Sequence, residues 1–177
     1  MRHLPLLAAA LALSLTAFAR AADPQTTTID SDTLESISSD TETTTTCHDN
    51  VVVTGNDITL TCDFLKVIAT RVGEKTVTIG KYGKFKYMLA TGNVKIVQGD
   101  RIATCGRAEV FPGEDRIVLT DHPEVDIVSE HYKATGPRMV LYRGQRRAVI
   151  EGNPSERTHI TLPAIKDLGF PAEKAPQ

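Results

Sequence analysis

The stretch GNVKIVQGDRIAT, residues 92–104, decides the fold because apolar and polar residues alternate on both sides of a turn. Val94 and Ile96 are separated by the polar Lys95, and the alternation resumes at Ile102. Between them stands Gly99-Asp100, a dipeptide typical of tight turns. A period of two places successive side chains on opposite faces of a strand. The stretch therefore predicts a β-hairpin with one apolar face.

The same alternation recurs from Val51 to Leu162, with short strands of about five residues every 8 to 12 residues. Residues 26–46, rich in Thr and Ser, predict a weak strand followed by a loop or a frayed edge. Turn chemistry separates the predicted strands at Gly55-Asn56-Asp57, Gly73-Glu74-Lys75, Tyr82-Gly83, Gly92-Asn93, Pro112-Gly113, His122-Pro123, Arg143-Gly144 and Gly152-Asn153. The pattern predicts an all-β protein, either a sandwich, a jelly roll or a β-solenoid.

An internal repeat supports a stacked arrangement. Residues 50–67 match residues 93–110, and a third copy follows around residues 125–141. We expect each repeat to contain about four short strands and to bury its apolar face against its neighbours. Such a stack leaves unpaired backbone groups on its terminal strands, which can pair with another chain.

The N-terminus has the pattern of a secretory signal peptide, predicted over residues 1–22. Arg2 precedes fifteen mostly Leu and Ala residues from Leu4 to Phe18, and small residues at cleavage-site spacing follow. The alternative is a retained anchor, but fifteen residues fall short of the roughly 20 that span a bilayer. The remaining chain predicts one domain, residues 23–162, and a flexible tail, residues 163–177.

Charge and cysteine content limit the possible functions. The sequence has 20 basic and 22 acidic residues, so nucleic acid is not an expected partner. The sequence has an odd number of cysteines, namely Cys47, Cys62 and Cys105, and their spacing fits no zinc site. We expect these cysteines to pack as small apolar residues or to form one disulfide.

No pattern indicates an enzyme. In Cys47-His48-Asp49, adjacent side chains of a strand point to opposite faces, so the thiol and the imidazole cannot readily meet. His122, His131 and His159 are far apart in the sequence and lack further ligands at metal-binding spacing. We therefore expect no catalytic residues, no metal and no cofactor.

Several of these segments together resemble the OstA-like, or LptA, family. They are Ile29-Asp30-Ser31-Asp32, Asn50-Val51, Gly92-Asn93-Val94-Lys95-Ile96 with Gln98-Gly99-Asp100, and the strand pair that ends at Tyr142. The resemblance covers about residues 29–151. The sequence departs from the family pattern at Asp49, at Pro123-Glu124 and in the hairpin of residues 73–87.

The resemblance implies a fold and a function. The expected fold is an open, twisted β-jelly roll of stacked antiparallel strands with repeats, whose inner face holds acyl chains. The expected function is noncatalytic: a periplasmic lipid-binding bridge or chaperone that carries lipopolysaccharide, or a related glycolipid, from the inner to the outer membrane. Expected partners are other OstA-like domain proteins of the transport bridge, at both membranes, and further copies of this chain joined head to tail.

An alternative is a structural β-repeat module of the cell envelope that binds protein partners without lipid. The two readings differ in whether the apolar face is accessible to a fatty chain. An acyl chain of about twelve methylenes loses roughly 10 kcal/mol on entering water, so a carrier needs a continuous apolar surface.

The alternation predicts which residues bind lipid, and the turn positions predict which residues bind the headgroup. The candidate lipid-binding residues are Val51, Val53, Ile58, Leu60, Val94, Ile96, Ile102, Val110, Leu119, Val125, Ile127, Met139 and Leu141. The candidate cations for phosphorylated sugars are Lys81, Lys84, Lys86, Arg143, Arg146 and Arg147.

Overall fold

The computed structural model describes residues 26–55, 57–77 and 81–164. These residues form twelve β-strands in a single antiparallel sheet, with short 3₁₀ turns at Pro112–Glu114 and Val128–Glu130. The strands are β1 (Thr28–Asp30), β2 (Thr33–Ser38), β3 (Glu42–Gly55), β4 (Ile58–Val72), β5 (Lys81–Gln98), β6 (Arg101–Phe111), β7 (Arg116–Thr120), β8 (Glu124–Ile127), β9 (Tyr132–Thr135), β10 (Arg138–Tyr142), β11 (Arg147–Glu151) and β12 (His159–Thr161). The all-β open jelly roll is confirmed. The predicted signal peptide and residues 165–177 of the predicted tail lie outside the described residues.

Neighbouring strands are interrupted at matching positions along their length. These interruptions form a line across the sheet, which we call the crease. There β3 and β5 contain bulges, and β6 changes its partner from β8 to β7. The breaks between β1 and β2, between β7 and β8, and between β9 and β10 occur at the same level. The crease divides the sheet into two halves. The first half-sheet contains β1, β8, β9 and β12, the second contains β2, β7, β10 and β11, and β3 to β6 run through both.

Asparagine, aspartate and glycine residues form the crease because they tolerate a positive φ. Asn50 and Asn93 have φ of 50° and 48°. The Asn50 amide donates to Asp32 Oδ2 over 2.7 Å, and the Asn93 amide donates to Asp63 Oδ2 over 2.8 Å. The Asn that opens the first two sequence repeats is therefore the residue that bends each strand.

The structure corrects two predictions about the elements. Tyr82-Gly83 and Gly92-Asn93 are not turns between strands, since both lie inside β5. The first two repeats are bent two-stranded hairpins rather than sets of four short strands, with β3 and β4 in the first copy and β5 and β6 in the second. The third copy spans the short strands β8, β9 and β10. The bulge at Gly92-Asn93 and the turn at Gly99 both contain residues with positive φ, so their residue signals coincide.

The Thr-rich segment is also more regular than predicted. Strand β3 begins at Glu42, and the side chains of Thr43 and Thr45 are buried. The repeated threonines suit a strand because their β-branched side chains pack well on a pleated surface.

The core lies between the two half-sheets. Leu65 and Leu119 are 0% exposed although the described chain forms one sheet, so a second layer must cover them. The core cluster contains Val53, Leu60 and Ala134 from the first half-sheet together with Leu65, Leu119 and Met139 from the second. The sheet therefore folds along the crease and packs its two halves face to face.

Candidate lipid-binding face

The inner face of the folded sheet carries apolar rows that cross every strand of each half. In the first half-sheet, directly paired residues form the row Ile29, Val53, Leu60, Ile96, Ala103, Val125, Ala134 and Ile160. In the second, they form the row Leu34, Cys47, Leu65, Ala90, Ala108, Leu119, Met139 and Ile150. Both rows run from one sheet edge to the other without a charged residue.

A third row lies farther from the crease in the second half-sheet. It reads Ser36, Thr45, Val67, Met88, Val110, Ile117, Leu141 and Ala148. Six of its members are apolar, and the two hydroxyl residues are at the end formed by β2 and β3. The inner face is therefore apolar over most of its length. It is polar at the β2–β3 end of this row and, in the first half-sheet, at Gln98 and Arg101, which lie in one row with Ile58 and Ile127.

Twelve of the thirteen candidate lipid-binding residues lie on this inner face, in two groups. Six are buried in the core, namely Val51, Val53, Leu60, Val94, Leu119 and Met139. Six are partly exposed, namely Ile58, Ile96, Val110, Val125, Ile127 and Leu141. Ile96 and Val125 of the second group share a row with the buried Val53 and Leu60, whereas Ile58, Val110, Ile127 and Leu141 lie farther from the crease along their strands.

Ile102 is the exception, and its predicted place on this face is wrong. It pairs with Val97 and Asp126 on the outer face, whereas the next residue, Ala103, pairs with Ile96 and Val125 on the inner face. The sequence pattern after the Gly99-Asp100 turn favoured Ile102 over Ala103 for the inner face, because isoleucine is the larger apolar residue. The inner position takes alanine, next to two larger neighbours in the same row.

Several inner-face residues were not among the lipid-binding candidates, and at Leu65 a bulge changes the phase of the alternation. These residues are Ile29, Leu65, Met88, Ala103, Ala108, Ile117, Ala134 and Ile150. One signal was available: Phe64 and Leu65 are consecutive apolar residues, which breaks a strict period of two. The pairing of β4 with β5 shifts between Thr61 and Phe64, at that point.

The two candidate headgroup clusters lie at the tips of the second half-sheet, at the ends of the strands that are remote from the crease. Lys81, Lys84 and Lys86 begin β5, and Lys86 pairs with Glu42 at 2.5 Å. The other cluster is at the turn from β10 to β11, where Arg143 pairs with Asp115 at 2.9 Å. Strands β6 and β7 separate the clusters, so the structure places them on one rim but not in one site.

The three cysteines are free and buried on the inner face. Burial raises the pKa of the Cys105 thiol to about 11. Burial, followed by the nearby charge of Asp63, raises the pKa of the Cys62 thiol to about 11 as well. Both thiols are therefore protonated at neutral pH and contribute to the apolar surface.

An ionic network lies on the outer face of the second half-sheet. Glu109 accepts hydrogen bonds from Arg107 Nη2 at 2.9 Å and from the Tyr87 hydroxyl at 2.6 Å. The bond from Arg107, and then that from Tyr87, lowers the pKa of Glu109. Burial, and then Glu109, raises the pKa of Tyr87 to about 12. Each member has a partner, so the network stabilises the sheet and has no free group for chemistry.

The predicted separation of Cys47 and His48 is also seen. Cys47 is in the core, while His48 packs edge-on against Phe64 with 4.9 Å between ring centroids. Among the described residues, no three His, Cys, Asp or Glu side chains are grouped so that they could hold a metal ion. The same residues include no helix long and apolar enough to cross a membrane.

Comparison with known proteins supports the predicted resemblance. Residues 81–157 match the family model described as LptA/(LptD N-terminal domain) LPS transport protein. The fold is similar to the crystal structure of LptH from Pseudomonas aeruginosa, described as the LptA homologous periplasmic component of the lipopolysaccharide transport device. That similarity has a TM-score of 0.58 at 15% sequence identity and covers 79% of this chain and 96% of LptH. Comparison with curated proteins gave no match. The predicted resemblance to the OstA-like family is confirmed: residues 81–157 match the family model, and the fold is similar to that of an LptA homologue.

Proposed function

We propose that this protein is a noncatalytic periplasmic bridge that holds the acyl chains of lipopolysaccharide and carries the lipid from the inner toward the outer membrane. The observation that supports the proposal is the pair of uninterrupted apolar rows on the inner face. A fatty chain needs about 0.8 kcal/mol of apolar contact for each methylene removed from water. Rows that cross all the strands provide such contact at any position along the sheet.

The ends of the rows support a bridge rather than a closed carrier. Leu34 ends one row on β2 and is 54% exposed, and Ile160 ends the other on β12 and is 50% exposed. Both belong to edge strands, whose free N–H and C=O groups can pair with another sheet. Pairing of a second OstA-like domain with either edge would continue the apolar rows into the next molecule.

The two burial groups suggest how a lipid enters. Ile96, Val125 and Leu141 are partly exposed, so an acyl chain can contact them first. Contact with Leu65 or Leu119 requires the half-sheets to separate, because both side chains are fully buried. The crease has an interrupted hydrogen-bond ladder, which makes it the place where such a movement costs least.

Site-specific photo-crosslinking tests the proposal. A photoreactive residue at Ile96 or at Leu141 should capture lipopolysaccharide in an exporting cell. Ile102 provides a matched control, because it lies on the same hairpin as Ile96 but on the outer face. We expect capture at the two inner positions and little at residue 102. Absence of lipid at both inner positions, or equal capture at all three, would favour the module that binds proteins without lipid.

A further inference from the structure

The inner face has a polar corner at the end formed by β2 and β3. Its hydroxyl groups come from Ser36, Ser38, Thr43, Thr45 and Tyr82, and we call this set the hydroxyl corner. Ser36 and Thr45 occupy the same row as Val67, and Ser38 and Thr43 occupy the next row, which continues to Ala69. Two rows of the second half-sheet therefore end at this corner in four hydroxyl groups, and the side chain of Tyr82 adds a fifth.

The hydroxyl groups are close together and partly closed off from solvent. The Tyr82 hydroxyl is 2.6 Å from Thr45 Oγ1 and 3.4 Å from Ser36 Oγ, and the Ser36 and Thr45 oxygens are 3.3 Å apart. Thr43 and Thr45 are 1% and 4% exposed. Tyr82 starts from β5 and reaches across β4 to make these bonds, and 43% of the residue remains exposed. Tyr82 thus covers the corner from the solvent side.

The corner has more hydrogen-bonding capacity than it uses. A hydroxyl group carries one donor and two acceptor lone pairs. Three hydroxyl groups in mutual contact use at most three donors and three acceptor positions, which leaves acceptor capacity unused. A ligand rich in hydroxyl groups can use this capacity, whereas an acyl chain cannot.

A cation lies beside these hydroxyl groups. Alternation along β4 puts Arg71 on the same face as Val67 and Ala69. Its guanidinium donates to the carbonyl oxygens of Ser39, Glu74 and Lys75 over 3.0 to 3.3 Å, and also to that of Val77.

The charge of Arg71 is only partly compensated. Its Nε is buried and has no hydrogen-bond partner among the described residues, and no carboxylate among them pairs with the guanidinium. A guanidinium that contacts only neutral carbonyl groups keeps its positive charge uncompensated, which favours a nearby anion.

We propose that the hydroxyl corner, together with Arg71, binds the phosphorylated sugar head of the glycolipid whose acyl chains occupy the apolar rows. This inference rests on the proposed function. Thr45 and Tyr82 exchange hydrogen bonds with sugar hydroxyl groups, and Arg71 supplies the positive charge that a phosphate ester requires. The corner thereby fixes which end of the lipid lies toward β2.

The test compares two lipids that differ only in the head. Binding of fluorescent lipid A that carries two phosphates is measured beside the same lipid A after enzymatic removal of both phosphates, with inorganic phosphate as a competitor. We expect Arg71→Gln to weaken binding of the phosphorylated lipid about tenfold and to change binding of the dephosphorylated lipid less than twofold. We expect Tyr82→Phe, which keeps the ring, to weaken binding of both lipids about fivefold.

Matched controls separate the corner from general effects. Tyr142→Phe removes a hydroxyl group from the outer face of the second half-sheet, and Lys95→Gln removes a charge from the outer face of the first, so both should bind like the wild type. If Arg71→Gln unfolds the protein, Tyr82→Phe still decides the result.

The outcomes distinguish this inference from the proposed function. Wild-type protein that binds neither lipid contradicts both. Wild-type protein that binds both lipids, with unchanged affinity in the Arg71 and Tyr82 variants, contradicts only the head site. Competition by inorganic phosphate as strong as that by phosphorylated lipid A would show a simple phosphate site and would also overturn the inference.

Discussion

Leu119 is a single residue on which the core depends. It lies on β7 in the middle of the second inner row, is fully buried and is flanked by Ala108 and Met139. Removing most of a buried leucine side chain loses transfer free energy and leaves a cavity. We expect Leu119→Ala to lower the free energy of unfolding by about 2 to 5 kcal/mol, measured from urea denaturation.

Val128→Ala serves as the control for this substitution. Val128 is 57% exposed in the 3₁₀ turn before β9, so its loss should change the free energy of unfolding by less than about 0.5 kcal/mol. Similar losses for the two variants would contradict the assignment of the inner face as the core.

The two buried thiols should make the free energy of unfolding depend on pH in the alkaline range. The pKa of Cys62 and that of Cys105 are about 11 in the folded protein, against an ordinary value of 9.0. A pKa raised by folding contributes stability below the ordinary value and loses it as the pH rises through the folded value. We expect the free energy of unfolding to fall between about pH 9 and pH 11, by on the order of 2 kcal/mol per thiol.

The double variant Cys62→Ala, Cys105→Ala is the control for this pH profile. Without the two thiols, the decrease over the same pH range should be much smaller. An equal decrease in the wild type and in the double variant would assign the alkaline loss to other groups.

At the residue scale, the sequence predicted most of the inner face and missed its phase shifts. Val53, Leu60 and Ile96 follow the alternation and were found. Ile102 and Ala103 were exchanged because the register depends on the cross-strand partners, and these are not visible in one segment. The grouping of Arg71 with Tyr82 was not predicted. Tyr82 on β5 reaches across β4 to β3 only when the three strands are paired.

The crease is the feature that matters at the scale of the elements. At Gly92, φ is +74°, and a Cβ atom there would lie 2.3 Å from Asp63 Oδ2. We expect Gly92→Ala to lower the free energy of unfolding by about 1 to 3 kcal/mol, because alanine neither favours this φ nor fits beside Asp63. Urea denaturation measures the effect.

Gly113→Ala provides the matched control for the crease. Gly113 lies in the 3₁₀ turn after β6, and a Cβ atom there would meet nothing within 4 Å. This variant should be within about 0.5 kcal/mol of the wild type. If both glycine variants were equally stable, the crease would not depend on the conformation of Gly92.

The crease also explains why the elements were harder to predict than the fold class. Gly92-Asn93 and Gly99-Asp100 have the same residue chemistry, but the first is a bulge within β5 and the second is the turn between β5 and β6. Which of them reverses the chain depends on pairing with β4 and β6. Composition alone could therefore give the number of interruptions but not their kind.

At the scale of the molecule, the two edges of the sheet differ and can complement each other. One edge is formed by β1 and β2, whose inner-face residues are Ile29 and Leu34. The other is formed by β11 and β12, whose inner-face residues are Ile150 and Ile160. Pairing of unlike edges joins the rows of one copy to those of the next, and it can repeat without limit.

We therefore expect the purified protein to form concentration-dependent head-to-tail oligomers, with Leu34→Lys and Ile160→Lys each reducing the assembly. A lysine at either edge places a charge where an apolar row continues across the contact. Sedimentation velocity measures the size distribution. Val128→Lys, an equally exposed position away from both edges, should leave the distribution unchanged.

Mixing the two edge variants distinguishes unlike from like pairing. A Leu34→Lys copy keeps an intact β11–β12 edge, and an Ile160→Lys copy keeps an intact β1–β2 edge. If unlike edges pair, each variant alone is mainly monomeric, while the mixture forms dimers that cannot grow further. If like edges pair, each variant alone still forms dimers through its intact edge. Dimers in the separate samples would therefore contradict the continuous row on which head-to-tail transport depends.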